Sequence, residues 1–84
     1  MSKTVDQILR GADDSVTLIN QINSGDFSYF MEGYTQAVVN RRVTDNVEYI
    51  ESVLAYEEVE ADERDKSSYT TAIATGKTYI SNNS

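Results

Sequence analysis

Ala74-Thr75-Gly76-Lys77-Thr78 is the stretch of this chain that comes nearest to a phosphate-binding motif. In such a loop the backbone amides cradle the phosphates and the lysine reaches them. The full pattern places a second glycine five residues before Gly76, and Thr71 stands there instead. The motif also needs a preceding strand and a following helix, whereas the pattern around Gly76 is helical throughout. Gly76 is therefore read as a packing residue and Lys77 as a solvated one. Carboxylates are the other candidate chemistry. Acid–base work needs two of them across a cleft with their pKa values pushed apart. Calcium loops need alternating acids with a glycine at a fixed place. Asp62-Glu63-Arg64-Asp65 has neither that alternation nor that glycine. The chain has no histidine and no cysteine. This removes the commonest general base, the commonest metal ligand, thiolate zinc sites and disulfides. No catalytic, cofactor-binding or metal-binding residues are assigned, and a non-enzymatic protein is expected.

Charge is distributed unevenly. Fourteen acids against seven bases give a formal charge of −7. Nine of the acids and only one base, Arg64, lie between Asp45 and Asp65, so nearly all the net charge comes from that region. The balance disfavours non-specific binding to nucleic acid or an anionic membrane and favours solubility or a basic partner. Glu57, Glu58, Glu60, Asp62 and Glu63 form a candidate acidic surface. The rival reading is a solvated face that keeps a small protein soluble. Glu48, Glu51, Glu57 and Glu58 do not fall in one row on a helical projection, which argues against a regular imitation of nucleic-acid phosphates.

Aromatic residues are the second biased feature. Phe27, Tyr29, Phe30 and Tyr34 crowd eight residues, and Tyr49, Tyr56, Tyr69 and Tyr79 follow. Tyrosine suits a half-buried surface, being apolar along its body and polar at its tip. With no tryptophan, tyrosine and phenylalanine must supply much of the large core volume. Phe27, Tyr29, Phe30 and Tyr34 are thus either core or a protein contact surface. Arg41-Arg42 is too short for a nucleic-acid patch, and complementing a helix C-terminus accounts for it.

These side chains must be positioned by helices. Val5, Ile8, Leu9, Ala12, Val16, Ile19 and Ile22 keep helical phase across about five turns, with Thr4 or Ser2 as cap. Gly11 costs roughly 1 kcal/mol against alanine mid-helix, and Asp13-Asp14 offers a second start there. One helix is preferred, because the stripe keeps its phase across the glycine. Asn23-Ser24-Gly25-Asp26 is a stop and turn. Phe27, Phe30, Met31, Tyr34, Ala37 and Val38 then recur at helical spacing, with Gly33 allowing a close backbone approach. A strand is conceivable for Phe27–Phe30 alone. Asp45 with Glu48 three residues on reads as the cap of a central helix, whose face is Val47, Ile50 and Leu54. This helix and the aromatic one are antiparallel neighbours or share a bent axis. The acidic stretch after Tyr56 is a loop or a solvated helix end. Asp62 or Asp65 caps a last helix with Tyr69, Ala72, Ile73, Gly76 and Ile80 inward, and Ala72 and Gly76 permit close contact. The tail Ser81–Ser84 is expected to fray. The result is one all-α domain over 1–84, a small antiparallel bundle of three to four helices at about 4–23, 27–41, 45–57 and 63–80. No apolar run is long enough to span a bilayer, and Met-Ser-Lys-Thr leads directly into the amphipathic pattern, so the mature protein is expected to start at the initiator.

Asn40–Ala55, with its Asp45-Asn46 step and Leu54-Ala55 ending, resembles small helical proteins encoded by tailed bacteriophages. So does Ala72-Ile73…Gly76…Tyr79-Ile80. Asp6–Leu9 and Ala12–Ile19 are similar to the N-terminal helix of those proteins. The resemblance rests on packing positions and is weakest over residues 26–39. It implies a phage origin and no catalytic residues. Taken with the small size, the missing catalytic residue types and the abundant tyrosine, it leads to the expectation of a non-enzymatic protein acting by protein–protein contacts, a minor virion structural or assembly component of capsid, neck or tail. The partner would be a phage structural protein or a second copy, and the location the virion or the host cytoplasm. A chain this small often gains stability by joining an oligomer or a larger assembly. The alternative is an acidic inhibitor that binds a host or defence protein through the Asp45–Asp65 acids.

Overall fold

In a computed structural model, which describes residues 4–84, the chain forms four helices and no strands among those residues. They are α1 (Val5–Asn23), α2 (Gln36–Leu54), α3 (Glu57–Ala61) and α4 (Ser67–Asn82). Three long helices make the bundle, with α2 running antiparallel to both α1 and α4. Arg64, just before α4, meets Asp6 at the start of α1. Ser15 meets Asn46 midway along α1 and α2. At the far end Asn40 donates to the carbonyl of Asn83. The fold is an all-α helical bundle, about 42 Å along its longest axis.

Helix α1 is continuous through Gly11, as its apolar phase requires. Thr4 caps it reciprocally: its hydroxyl accepts from the Gln7 amide at 3.3 Å, and the Gln7 side chain accepts from the Thr4 amide at 3.1 Å. Ser2, the other candidate cap, lies outside the described residues. Gly11 has a packing role as well. A side chain there would run into the Tyr49 hydroxyl and ring.

The boundary expected near residues 42–45 does not exist. One helix runs from Gln36 to Leu54, capped by the Thr35 hydroxyl, which accepts from the Val38 amide at 3.3 Å. Its buried face is Val39, Val43, Val47, Ile50 and Val53, spaced 4, 4, 3 and 3 residues apart. That spacing carries the helical phase straight through Arg41 and Arg42. Asp45 is therefore an exposed mid-helix residue and not a cap. Arg41 and Arg42 lie in the first half of α2 and complement no C-terminus. The apolar face includes Val39 and leaves Ala37 and Val38 exposed.

Ala72 and Gly76 do bring α4 close to its neighbours. A Cβ on Gly76 would lie 2.5 Å from Val47 Cγ2 and 3.2 Å from Val43 Cγ1. The helix backbone itself therefore packs on the valines of α2. Asp62 does not cap α4. Asp65 comes nearer to that role, its carboxylate accepting from the Ser67 amide at 2.9 Å. The C-terminal tail is tied down, with α4 reaching Asn82 and the Asn83 side chain donating to the Tyr79 carbonyl at 2.8 Å.

Tyr69 is buried at the α1–α4 contact, and its hydroxyl donates to Asp13 at 2.5 Å. Burial first, and the adjoining Asp13 carboxylate second, push its phenol up to about 12 from an ordinary value of 10.0. As pH rises past 10 the unfolded chain ionises first, while the folded chain holds its proton until about 12. This contribution to stability is thus whole below pH 10 and lost as pH rises through 12. Tyr69→Phe should flatten the alkaline loss of stability over that window in urea titrations, and cost about 1 kcal/mol at neutral pH. The two helical glycines should behave oppositely. Gly76→Leu should lower stability by about 2 kcal/mol, because α4 would be forced off α2. Gly11→Ala should be near neutral, because the half-exposed Tyr49 ring can move aside and about 1 kcal/mol of helix propensity is gained.

Candidate functional site

Gly25 and Gly33 decide the conformation of the aromatic segment. Both have positive φ, +90° and +89°, a region side-chain-bearing residues adopt at a cost. Gly25 ends α1 as expected. Asp26 does not cap a helix but opens a turn, its carboxylate accepting from the Ser28 amide at 3.1 Å and the Ser28 hydroxyl at 2.6 Å. These bonds, the hydroxyl one foremost, hold the Asp26 carboxyl below its usual range. Two short turns follow. The Phe30 amide donates to the Phe27 carbonyl at 3.0 Å, and the Tyr34 amide to the Met31 carbonyl at 3.2 Å. Residues 27–35 are therefore a loop and not the first part of a helix over 27–41. Gly33 serves the turn and not a close backbone approach, since a Cβ there would meet nothing within 4 Å.

The loop still gathers all four expected aromatic residues. Phe27 and Tyr34 stack with ring centroids 5.8 Å apart. Phe30 lies 5.4 Å from Tyr34 and takes Tyr29 edge-on at 5.7 Å. Phe27 and Phe30 are half-buried against the bundle core. Tyr29 and Tyr34 are 58% and 43% exposed, so one cluster divides into an anchor and an outward face. Arg42 of α2 fastens the loop. Its guanidinium sits 5.2 Å from the Tyr29 ring centroid and donates to the Tyr29 hydroxyl at 2.8 Å.

Three members of this surface were not legible as such. Met31 is 87% exposed, Val38 is 49% exposed, and Arg42 supports Tyr29. Helical spacing assigned Met31 and Val38 to the inward face. The glycine two residues after Met31 was the available signal for a turn. Met31 lines a shallow cavity of about 410 Å³ together with Phe30, Tyr34, Val38, Glu32 and Arg42. It holds no nucleophile paired with a base.

The acidic residues lie at the opposite end of the bundle. Helix α3 is a single turn anchored by the fully buried Val59. Glu57, Glu58, Glu60 and Glu63 are exposed and have no ion-pair partner among the described residues. Asp62 is occupied. It takes the Arg64 Nε at 2.8 Å, while Arg64 Nη1 reaches Asp6 at 2.8 Å and so links this corner to α1. The Arg64 bonds, side chain foremost, hold the Asp62 carboxyl below its usual range, and the two carboxylates raise the Arg64 guanidinium. Asp62 thus stands apart from the four free glutamates of the expected acidic surface.

Gly76-Lys77-Thr78 lies inside α4, where the backbone amides are consumed by the helix. Lys77 donates to Glu51 across the bundle surface at 3.1 Å. That stretch is structural. A second depression, about 470 Å³, runs along Thr71, Thr75 and Thr78 beside Asn23, and no titratable group lines it. Among the described residues no group of acids converges in a way that could hold a metal ion, and no helix is long and apolar enough to cross a membrane. No protein-family model, curated protein or solved structure matches this chain.

The positive φ at Gly33 gives a clean test of the loop, because added volume meets no neighbour there. Gly33→Ala should cost about 1 kcal/mol of stability by denaturant titration while leaving the helical circular-dichroism signal unchanged, since the Thr35 cap lies beyond it.

Proposed function

We propose that this chain is a non-enzymatic phage protein that works by protein–protein contact, as a minor structural or assembly component of the virion. The observation that carries the contact reading is the outward face of the aromatic loop. Met31, Tyr29, Tyr34 and Val38 expose apolar surface together at one end of a small bundle. Contiguous exposed apolar patches on small proteins mark interaction sites, and tyrosine and methionine are enriched in such contacts. The loop is anchored from below by Phe27 and Phe30 and from the side by Arg42, so little ordering is needed when a partner covers it. The phage assignment rests on the helix-pattern resemblance described above.

The acidic end supports a second reading, an inhibitor that captures a basic host or defence protein. Its supporting observation is the set of free glutamates on and beside α3. The two readings use opposite ends of the molecule and separate cleanly. In the first, mass spectrometry finds the chain in purified particles, and Met31→Asp depletes it from them while Glu57→Lys, Glu58→Lys and Glu60→Lys together do not. In the second, salt-sensitive capture from infected cells is lost with the triple change and unaffected by Met31→Asp. Reproducible absence from particles would end the virion reading.

A further inference from the structure

We propose that the aromatic-loop end, residues 27–42, forms a two-fold, self-complementary contact with a second copy of this chain. The inference rests on the reading of that loop as a contact surface, and names its occupant. Three observations favour a second copy.

The first is shape. Met31, 87% exposed, lines the 410 Å³ cavity together with Phe30, Tyr34 and Val38. An exposed apolar side chain and a depression that can receive one thus share a single patch. An isologous contact needs this combination, because each copy must offer both halves of the fit.

The second is charge pairing. Glu32 and Arg42 both border the cavity. Neither has an ion-pair partner among the described residues, since Arg42 is held by the ring and hydroxyl of Tyr29. A two-fold axis passing between the Glu32 and Arg42 side chains would set Glu32 of each copy toward Arg42 of the other and satisfy both pairs at once.

The third is long-range charge. From Asp26 to Arg42 the formal charges cancel, with Asp26 and Glu32 against Arg41 and Arg42. The six acids from Glu57 to Asp65 lie toward the other end of a molecule about 42 Å long. Electrostatic screening in physiological salt acts over about 8 Å, so two copies meeting at their aromatic ends keep their acidic ends apart. Contact through the α3 end would set the free glutamates of one copy against those of the other.

A contact made by residues 27–42 alone is smaller than the roughly 20–30 residues per side of a standard interface. The expected dimer is therefore weak, with Kd between about 1 μM and 1 mM. Sedimentation equilibrium over that concentration range should show a monomer–dimer equilibrium, and Met31→Asp should weaken it at least tenfold. Glu32→Arg alone and Arg42→Glu alone should each weaken it similarly, while an equimolar mixture of these two variants should recover association, because both cross-pairs are then opposite in sign. A variant whose loop merely came loose from Arg42 would gain nothing from mixing, and the near-ultraviolet circular dichroism of the Tyr29, Phe30 and Tyr34 cluster checks each variant for that. The proposal is overturned if the wild-type chain stays monomeric up to about 1 mM, if Met31→Asp leaves the Kd unchanged, or if mixing fails to restore dimers. A monomer that still loses particle association on Met31→Asp would assign the patch to a different protein, overturning the second copy and leaving the contact reading intact.

Discussion

The close approach of α4 to α2 at Gly76 is the constraint on which the rest of the bundle depends. Without a side chain at that position, the α4 backbone rests on Val43 and Val47. Ile19 of α1 closes on the same point, so all three long helices share one narrow crossing. Polar contacts fix the register on either side of it. The Ser15 hydroxyl donates to Asn46 at 2.7 Å, and Asn46 donates to the Arg42 carbonyl at 2.7 Å. Every buried side-chain polar atom among the described residues has a partner, so these contacts specify alignment without leaving an uncompensated buried group. A small core of valines and isoleucines with that spacing leaves little room for alternative packings.

Much of this architecture was legible in the sequence. The α1 stripe held across Gly11 because seven apolar residues kept one phase, and Ala72 with Gly76 announced the close contact of α4. The misreading fell between residues 27 and 45 and has a physical cause. Two successive turns closed by three-residue hydrogen bonds place Phe27, Phe30 and Tyr34 at the same intervals as one face of a helix. Aromatic spacing alone cannot separate the two. Asp45 and Glu48 reproduce the chemistry of a helix start, but such a pair is equally at home on the solvent side of a helix already under way. The stripe Val39, Val43, Val47, Ile50 and Val53 resolves the conflict, because buried apolar phase outweighs a surface capping pattern worth about 1 kcal/mol. The four aromatic residues singled out by type do cluster in one loop, while the exposure of their neighbours Met31 and Val38 does not show in the spacing. Exposure of Met31 follows from the loop, and the loop follows from glycine φ values that no spacing pattern reports. Exposure of Val38 follows from the α2 phase, which turns Val39 inward.

The acidic end shows how a weak element is kept in place. Five residues are too few for a helix to be stable by itself. Helix α3 persists because Val59 is fully buried and because Arg64 joins Asp62 to Asp6. Those ion pairs are exposed and individually worth little. They hold a corner already defined by the Val59 anchor, and the glutamates around it stay solvated. The same segment is thus fastened on its inner side and unpaired on its outer side, which is the reverse of the aromatic loop, where apolar groups face outward.

Placing the six acids of residues 57–65 toward one end also gives the molecule a direction. A body whose excess negative charge is weighted toward one end experiences a torque, and not only a force, in the field of a charged neighbour. Approaching an anionic assembly, it turns its acidic end away and arrives with the aromatic loop in front. Approaching a cationic one, it arrives the other way round. The sign of the surface it meets therefore selects which end makes first contact before any side chain has touched.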